Sequence, residues 1–212
     1  MTRVKICGVT RLEDAEAAVA HGAWAIGLNH WEGTPRRADP ATAAEIGAAL
    51  KRRCELAGVF VNPTLEEVAA AVENAQLTMV QLHGEEGPSF CAEVARRTGA
   101  KVIKALRVRS AADVRAAETY RVDYHLLDAH RPGMPGGTGE SFDWELLADR
   151  RSKIPLILAG GLNPDNVAQA IEVAHPFAID VASGVESASG IKDHGLLEAL
   201  LEAVPGGVSA TI

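Results

Sequence analysis

Short apolar runs rich in β-branched residues recur near residues 3–7, 24–29, 55–61, 78–82, 101–106, 123–128, 155–159 and 177–182. Each reads as a candidate strand, eight in all. Between them, segments rich in Ala, Glu, Arg and Leu predict helices that include Leu12 to His21, Pro40 to Arg53, Leu65 to Ala75, Ser89 to Thr98 and Asp165 to Val173. Thr10 or Asp14, Thr64, Ser110, Asp143 and Asn163 fall at or inside expected first turns, where a side-chain oxygen satisfies free amides. Pro40, Pro63, Pro88 and Pro164 lie near the same starts. Successive strands mostly begin roughly 22 residues apart, one βα unit, with longer steps after the second and sixth.

Strand followed by helix, repeated eight times in 212 residues, predicts an α/β fold: a single-domain (β/α)8 TIM barrel over residues 1–212. A doubly wound sheet would use fewer strands and a glycine fingerprint after the first, and neither GxGxxG nor a P-loop follows Cys7. In a barrel the chemistry gathers at the C-terminal strand ends, which singles out Cys7, Asn29, Gln81, Asp128, Gly160 and Asp180.

Composition narrows the function classes. A net charge of -7 with 4% aromatic residues offers no basic stripe, so no nucleic-acid partner is expected. No apolar run approaches the about 20 residues that span a bilayer, so no membrane partner is expected either. Cys7, Cys54 and Cys91 lie far apart, and no basic-plus-apolar segment precedes the first strand, which together predict a cytoplasmic location. His30, His83, His125 and His130 show neither HxH nor HExxH spacing, so no metal is expected.

Two late segments suit an anion: Gly160 and Gly161 after the seventh strand, and Ser183 and Gly184 after the eighth. In many barrels those two loops form a phosphate site with the N-terminus of a short extra helix. Cys7 reads either as a buried apolar filler or as a base whose thiol Lys5 or a helix dipole draws toward neutrality. As a nucleophile it would need a histidine, with His83 and His125 the candidates. Asp128 reads as a loop cap or as an acid of raised pKa. The loop from Arg131 to Gly139 is too rich in glycine and proline for regular structure and reads as a lid or phosphate-proximal loop. Arg36 and Arg37, in the long loop after the second strand, could grip a carboxylate by paired hydrogen bonds.

VKICGVT at 4–10, TPR at 34–36, GVFVN at 58–62, VQLHG at 80–84, LLDA at 126–129, GGTGESFDW at 136–144, LAGGLNPDNV at 158–167, DVASGVE from 180 and GIKD ending at 193 resemble the phosphoribosylanthranilate isomerase family. The resemblance spans essentially the whole chain. It implies a cofactor-free Amadori rearrangement of N-(5'-phosphoribosyl)anthranilate to 1-(2-carboxyphenylamino)-1-deoxyribulose 5-phosphate, in tryptophan biosynthesis. It further implies Asp128 as the general acid that opens the ribose ring and Cys7 as the base at C2'. Arg36 would meet the anthranilate carboxylate, Gly161, Ser183 and Gly184 the phosphate, and Asp180 the ribose. Gln81 and Gly160 complete the expected substrate-binding set.

The chain departs from the family at His30, where an aromatic residue is usual, and at Thr34 and Ala182, where serine is frequent. The related isomerase of histidine biosynthesis, or a bifunctional form, performs the same chemistry on a two-phosphate substrate but carries aspartate at the first strand end. A non-catalytic phosphoribosyl-binding barrel or a redox-responsive protein is the alternative of a different class. A compact barrel with a charged helical exterior is expected to stand alone as a monomer.

Overall fold

The computed structural model describes residues 1–128, 147 and 150–207. Eight parallel strands close on themselves in sequence order. They are β1 (Arg3–Cys7), β2 (Ala25–Asn29), β3 (Glu55–Phe60), β4 (Met79–Leu82), β5 (Lys101–Arg107), β6 (Tyr124–Asp128), β7 (Leu156–Ala159) and β8 (Ala178–Val181). Every predicted strand is present, with ends within a residue or two of the apolar runs. Closure is sealed where β1 pairs with β8, Lys5 opposite Asp180 and Ile6 opposite Val181.

Alternation along each strand sorts its side chains between two cores. Val4, Ile6, Ile26, Leu28, Leu56, Val80, Leu82, Leu158 and Ile179 face the helices and join one large cluster. Ala25, Ala57, Met79, Ile103, Ala105, Leu126, Ile157 and Ala178 fill the interior with Trp24 at its base. The floor is aromatic: Trp24 meets Tyr124 and Phe177 edge-on with centroids 5.8 and 5.6 Å apart. Thus Trp24, Tyr124 and Phe177 close the N-terminal end of the barrel interior.

The helices are α1 (Leu12–Ala20), α2 (Pro40–Leu50), α3 (Leu65–Ala75), α4 (Pro88–Thr98), α5 (Ala111–Ala117), α6 (Val167–Ala174) and α7 (His194–Glu202). Thr64, expected at this helix start, caps α3 in a reciprocal box with Glu67. At α1 neither expected cap serves, because Arg11 is the N-cap residue and makes no side-chain cap bond. Thr10 instead donates to the Gly190 carbonyl at 2.6 Å. Asp14 is buried, accepting from Arg11 and from the Lys192 amide. Asn163 caps a turn ahead of α6, accepting from the Asp165 and Asn166 amides, so that helix begins later than expected. Asp143 lies outside the described residues.

Helix α7 completes the eighth strand-helix unit, whose helix was not delimited in the sequence, and the small antiparallel hairpin ahead of it, β9 (Glu186–Ala188) and β10 (Ile191–Lys192), was not predicted. The hairpin packs by Gly190 against Thr10 and the Pro35 carbonyl, joining the loops after β1, β2 and β8.

Candidate active site

Lys5, Cys7, Gln81, Asp128 and Asp180 lie toward the C-terminal end of the barrel, while at the other end the buried Glu55 pairs with Lys101. Lys5 and Cys7 share the inward face of β1 and lean across β2 at Gly27. A Cβ at residue 27 would stand 2.9 Å from Cys7 Sγ and 3.1 Å from Lys5 Nζ, so glycine is what allows both to occupy that space. Lys5 Nζ donates to Asp180 Oδ1 at 2.8 Å, in a pair 0% and 8% exposed. Burial opposes the Lys5 charge, yet Asp180 and Cys7 beside it hold its pKa above the ordinary lysine value.

The expected lowering of the Cys7 pKa does not occur in this structure. Burial and the Asp180 carboxylate push the thiol up, outweighing the opposite pull of Lys5 and Lys192. Lys5 does stand beside Cys7, but Asp180 neutralises most of its influence and burial removes the water that would stabilise a thiolate.

Asp128 ends β6, three strands from β1 around the closed barrel, so the two groups enter the mouth from different sides. Its Oδ2 lies 3.8 Å from His83 Nε2. Nδ1 of the same imidazole lies 3.1 Å from Gln81 Nε2. A neutral ring that accepts from this amide at Nδ1 carries its proton on Nε2, toward Asp128. Gln81 is 1% exposed, and its Oε1 has no hydrogen-bond partner among the described residues. Neither histidine weighed as a Cys7 partner fills that role. His83 belongs with Asp128, and His125 is buried with its Nε2 on the Tyr120 carbonyl at 3.1 Å.

Arg36 reaches across the mouth and meets Glu186, with Nε 2.9 Å from Oε1 and Nη2 2.7 Å from Oε2. Its neighbour Arg37 makes an exposed pair with Glu32 instead. Lys192 lies beneath with Nζ 2.6 Å from the Cys7 carbonyl, 3.0 Å from the Ala182 carbonyl and 2.9 Å from Glu186 Oε1. Burial opposes the charge on Glu186, but Arg36 and Lys192 hold its carboxyl below the usual range. Burial also draws Lys192 below the usual ammonium value. Three acceptors around one nitrogen nevertheless require all three protons of the cation. Glu186 and Lys192 were missed in the sequence, where GIKD and DVASGVE marked a family segment without saying what their charges touch.

The late loops interlock. Gly160 and Gly161 adopt φ of 105° and 65°. Ser183–Val185 forms a three-residue 3₁₀ turn in place of the expected extra helix. A Cβ on Gly184 would collide with the Leu162 carbonyl oxygen. Asn166 ties its own side to this loop, donating to the Gly161 carbonyl at 3.0 Å and accepting from the Asn163 amide at 2.9 Å. Ser183 is exposed and Gly184 half-buried at the mouth.

A cavity of about 730 Å³ lies elsewhere, outside the barrel wall, lined by residues that include His30, Trp31, Phe60, Asn62 and Asn74. His30 stacks on Phe60 there, with centroids 4.8 Å apart, taking the place of an aromatic ring. Among the described residues no group of three His, Cys, Asp or Glu side chains could hold a metal ion, and no helix is long and apolar enough to cross a membrane. The loop from Arg131 to Gly139, including its expected role as a lid, and His130 lie outside the described residues.

Comparison with known proteins agrees with this geometry along the chain. A family model described as N-(5'-phosphoribosyl)anthranilate (PRA) isomerase matches residues 4–203. The N-(5'-phosphoribosyl)anthranilate isomerase of Citrifermentans bemidjiense is 47% identical over 193 residues, covering 91% of this chain and 92% of that protein. The crystal structure of phosphoribosyl anthranilate isomerase from Thermotoga maritima superposes with a TM-score of 0.87 at 40% identity, covering 97% of this chain and 100% of that one. That enzyme is dimeric, and monomers have been generated from it. A phosphoribosyl anthranilate isomerase in complex with reduced 1-(o-carboxyphenylamino)-1-deoxyribulose 5-phosphate superposes with a TM-score of 0.84 at 39% identity, covering 97% of this chain and 100% of that one.

Proposed function

Because the chain belongs to the N-(5'-phosphoribosyl)anthranilate isomerase family, and is the isomerase that acts on that substrate in tryptophan biosynthesis, we propose that Asp128 is its general acid and Cys7 its general base. The observation that carries this reading is the pairing at one barrel mouth of a carboxyl beside an imidazole with a thiol beside an ammonium, entering from different strands.

The chemistry follows from what each group can do. Asp128 gives a proton to the ribose ring oxygen while the anthranilate nitrogen lone pair forms the C1'=N bond and the C1'–O4' bond breaks. His83 Nε2–H steadies the carboxylate left behind. Cys7, in the thiolate fraction that its raised pKa leaves, then takes the proton from C2', and the C–H electron pair forms C1'=C2' as the imine pair returns to nitrogen. The enolamine gains a proton at C1' and loses one from the C2' hydroxyl, giving the ketose. Proton transfers of this kind contribute about 10²- to 10⁴-fold each.

Binding divides around this pair. Arg36 receives the anthranilate carboxylate with the edge of its guanidinium that Glu186 leaves open. Gly160, Gly161, Ser183 and Gly184 offer backbone amides to the phosphate. Gln81 Oε1, buried without a partner among the described residues, accepts from a sugar hydroxyl, and Asp180 meets the ribose next to Lys5. No cofactor enters any step. Three free cysteines without a disulfide support a cytoplasmic site of action.

The test follows loss of substrate fluorescence, with phosphoribosylanthranilate generated in place, for wild type, Cys7→Ala and Asp128→Asn. Each variant should lose about 10²- to 10⁴-fold in kcat with an unchanged far-UV spectrum. A near-normal rate in either one removes that residue from its role.

A further inference from the structure

Arg36 is aimed by the protein before any ligand arrives. Its guanidinium is a rigid plane with five N–H donors, so binding one edge fixes the direction of the other. Glu186 takes the edge made by Nε and Nη2, at distances of 2.7 to 3.0 Å. The end carrying Nη1 keeps its donors. The stem of Arg36 lies on Gly8, the residue after Cys7, close enough that a Cβ there would stand 2.7 Å from Cδ.

Glu186 is itself held. Its side chain is 4% exposed and accepts from Lys192 Nζ at 2.9 Å and from the Gly190 amide at 3.3 Å. Lys192 is fixed in turn to the Cys7 carbonyl at 2.6 Å. The direction of the arginine edge is therefore referred, through two buried charges, to the backbone of Cys7.

We propose that Glu186, anchored by Lys192, is a positioning residue that sets specificity for a substrate carboxylate by presenting the free edge of Arg36 at a fixed place relative to Cys7. This rests on the reading of Arg36 as the carboxylate contact. A freely rotating Arg36 would have to be ordered at each binding event, so losing Glu186 should weaken ground-state binding and leave the proton transfers alone. Were Glu186 instead an internal competitor for Arg36, losing it would tighten binding.

The experiment measures kcat and KM for wild type, Glu186→Gln and Arg36→Met with phosphoribosylanthranilate and with its aniline analogue, N-(5'-phosphoribosyl)aniline, which lacks the carboxylate. Glu186→Gln should raise KM about tenfold for the natural substrate and leave kcat within about threefold. For the analogue its KM should stay within about twofold of wild type. Arg36→Met should show the same selectivity for the carboxylate, more strongly. A Glu186→Gln KM ratio between the two substrates equal to that of wild type, or a fall in KM for the natural one, overturns the positioning role while Arg36→Met still supports the arginine assignment. A flat ratio for Arg36→Met overturns that assignment, and this inference with it. KM reports only folded molecules. Should Glu186→Gln not fold, Glu186→Asp, too short to span Arg36 and Lys192 together, is read by the same ratio with the same consequences.

Discussion

Replacing His30 by phenylalanine removes a titratable ring from a place built for an apolar one. The imidazole stacks on Phe60 with an interplanar angle of 8°, and its Nε2 is buried without a hydrogen-bond partner among the described residues. Burial first, and the Arg37 guanidinium second, push its pKa down from 6.5 to about 4. Unfolded chains take up a proton near the ordinary value, whereas the native protein refuses it until much lower pH. Stability is therefore lost as pH falls through that window, and integrating the two titrations gives a loss of about 2.5 kcal/mol at about pH 4.5 and almost none at about pH 7. His30→Phe keeps the stack and has nothing to protonate. At about pH 7 the variant should match wild type or exceed it by about 1 kcal/mol, since an unsatisfied buried nitrogen has gone. At about pH 4.5 its advantage should grow by about 2 kcal/mol more. Urea unfolding of both proteins at the two pH values, at equal ionic strength, reads this directly. A stability difference that is the same at both to within about 0.5 kcal/mol refutes the reasoning.

Two further substitutions probe the mouth. Gly184→Ala drives a Cβ into the Leu162 carbonyl and within 3.0 Å of Asn163 Cβ, so the late loops must separate. The expected loss is about 1–3 kcal/mol of stability, accompanied by weaker inhibition by inorganic phosphate; normal values of both would sink the proposed role of that loop pair. Lys5→Met removes the nearer cation from a thiol that burial and Asp180 already hold above its ordinary pKa, so thiolate should form only at still higher pH. The rise of kcat/KM with pH, followed between about pH 6 and 10, should move to the alkaline side, and an unmoved profile would show that Lys5 does not tune Cys7.

Much of this protein is written locally in its chain. Eight apolar runs with helical segments between them specify the barrel, because strand and helix periods and caps such as Thr64 with Glu67 act over a few residues. The same runs mark strand ends, and a barrel turns strand ends into one mouth, which is why Cys7, Gln81, Asp128 and Asp180 could be picked out and why the family motifs fall there. Caps fail as signals where a distant partner competes, as Gly190 does for the Thr10 hydroxyl. What tertiary structure alone decided are the pairings across the chain: Arg36 with Glu186, 150 positions apart, and Lys192 with the Cys7 carbonyl, 185 apart. No period or spacing encodes such meetings. The direction of the Cys7 pKa belongs to the same class, since it balances burial against Asp180, Lys5 and Lys192. Desolvation and Coulomb energies depend on distances through space, which exist only once the barrel has closed.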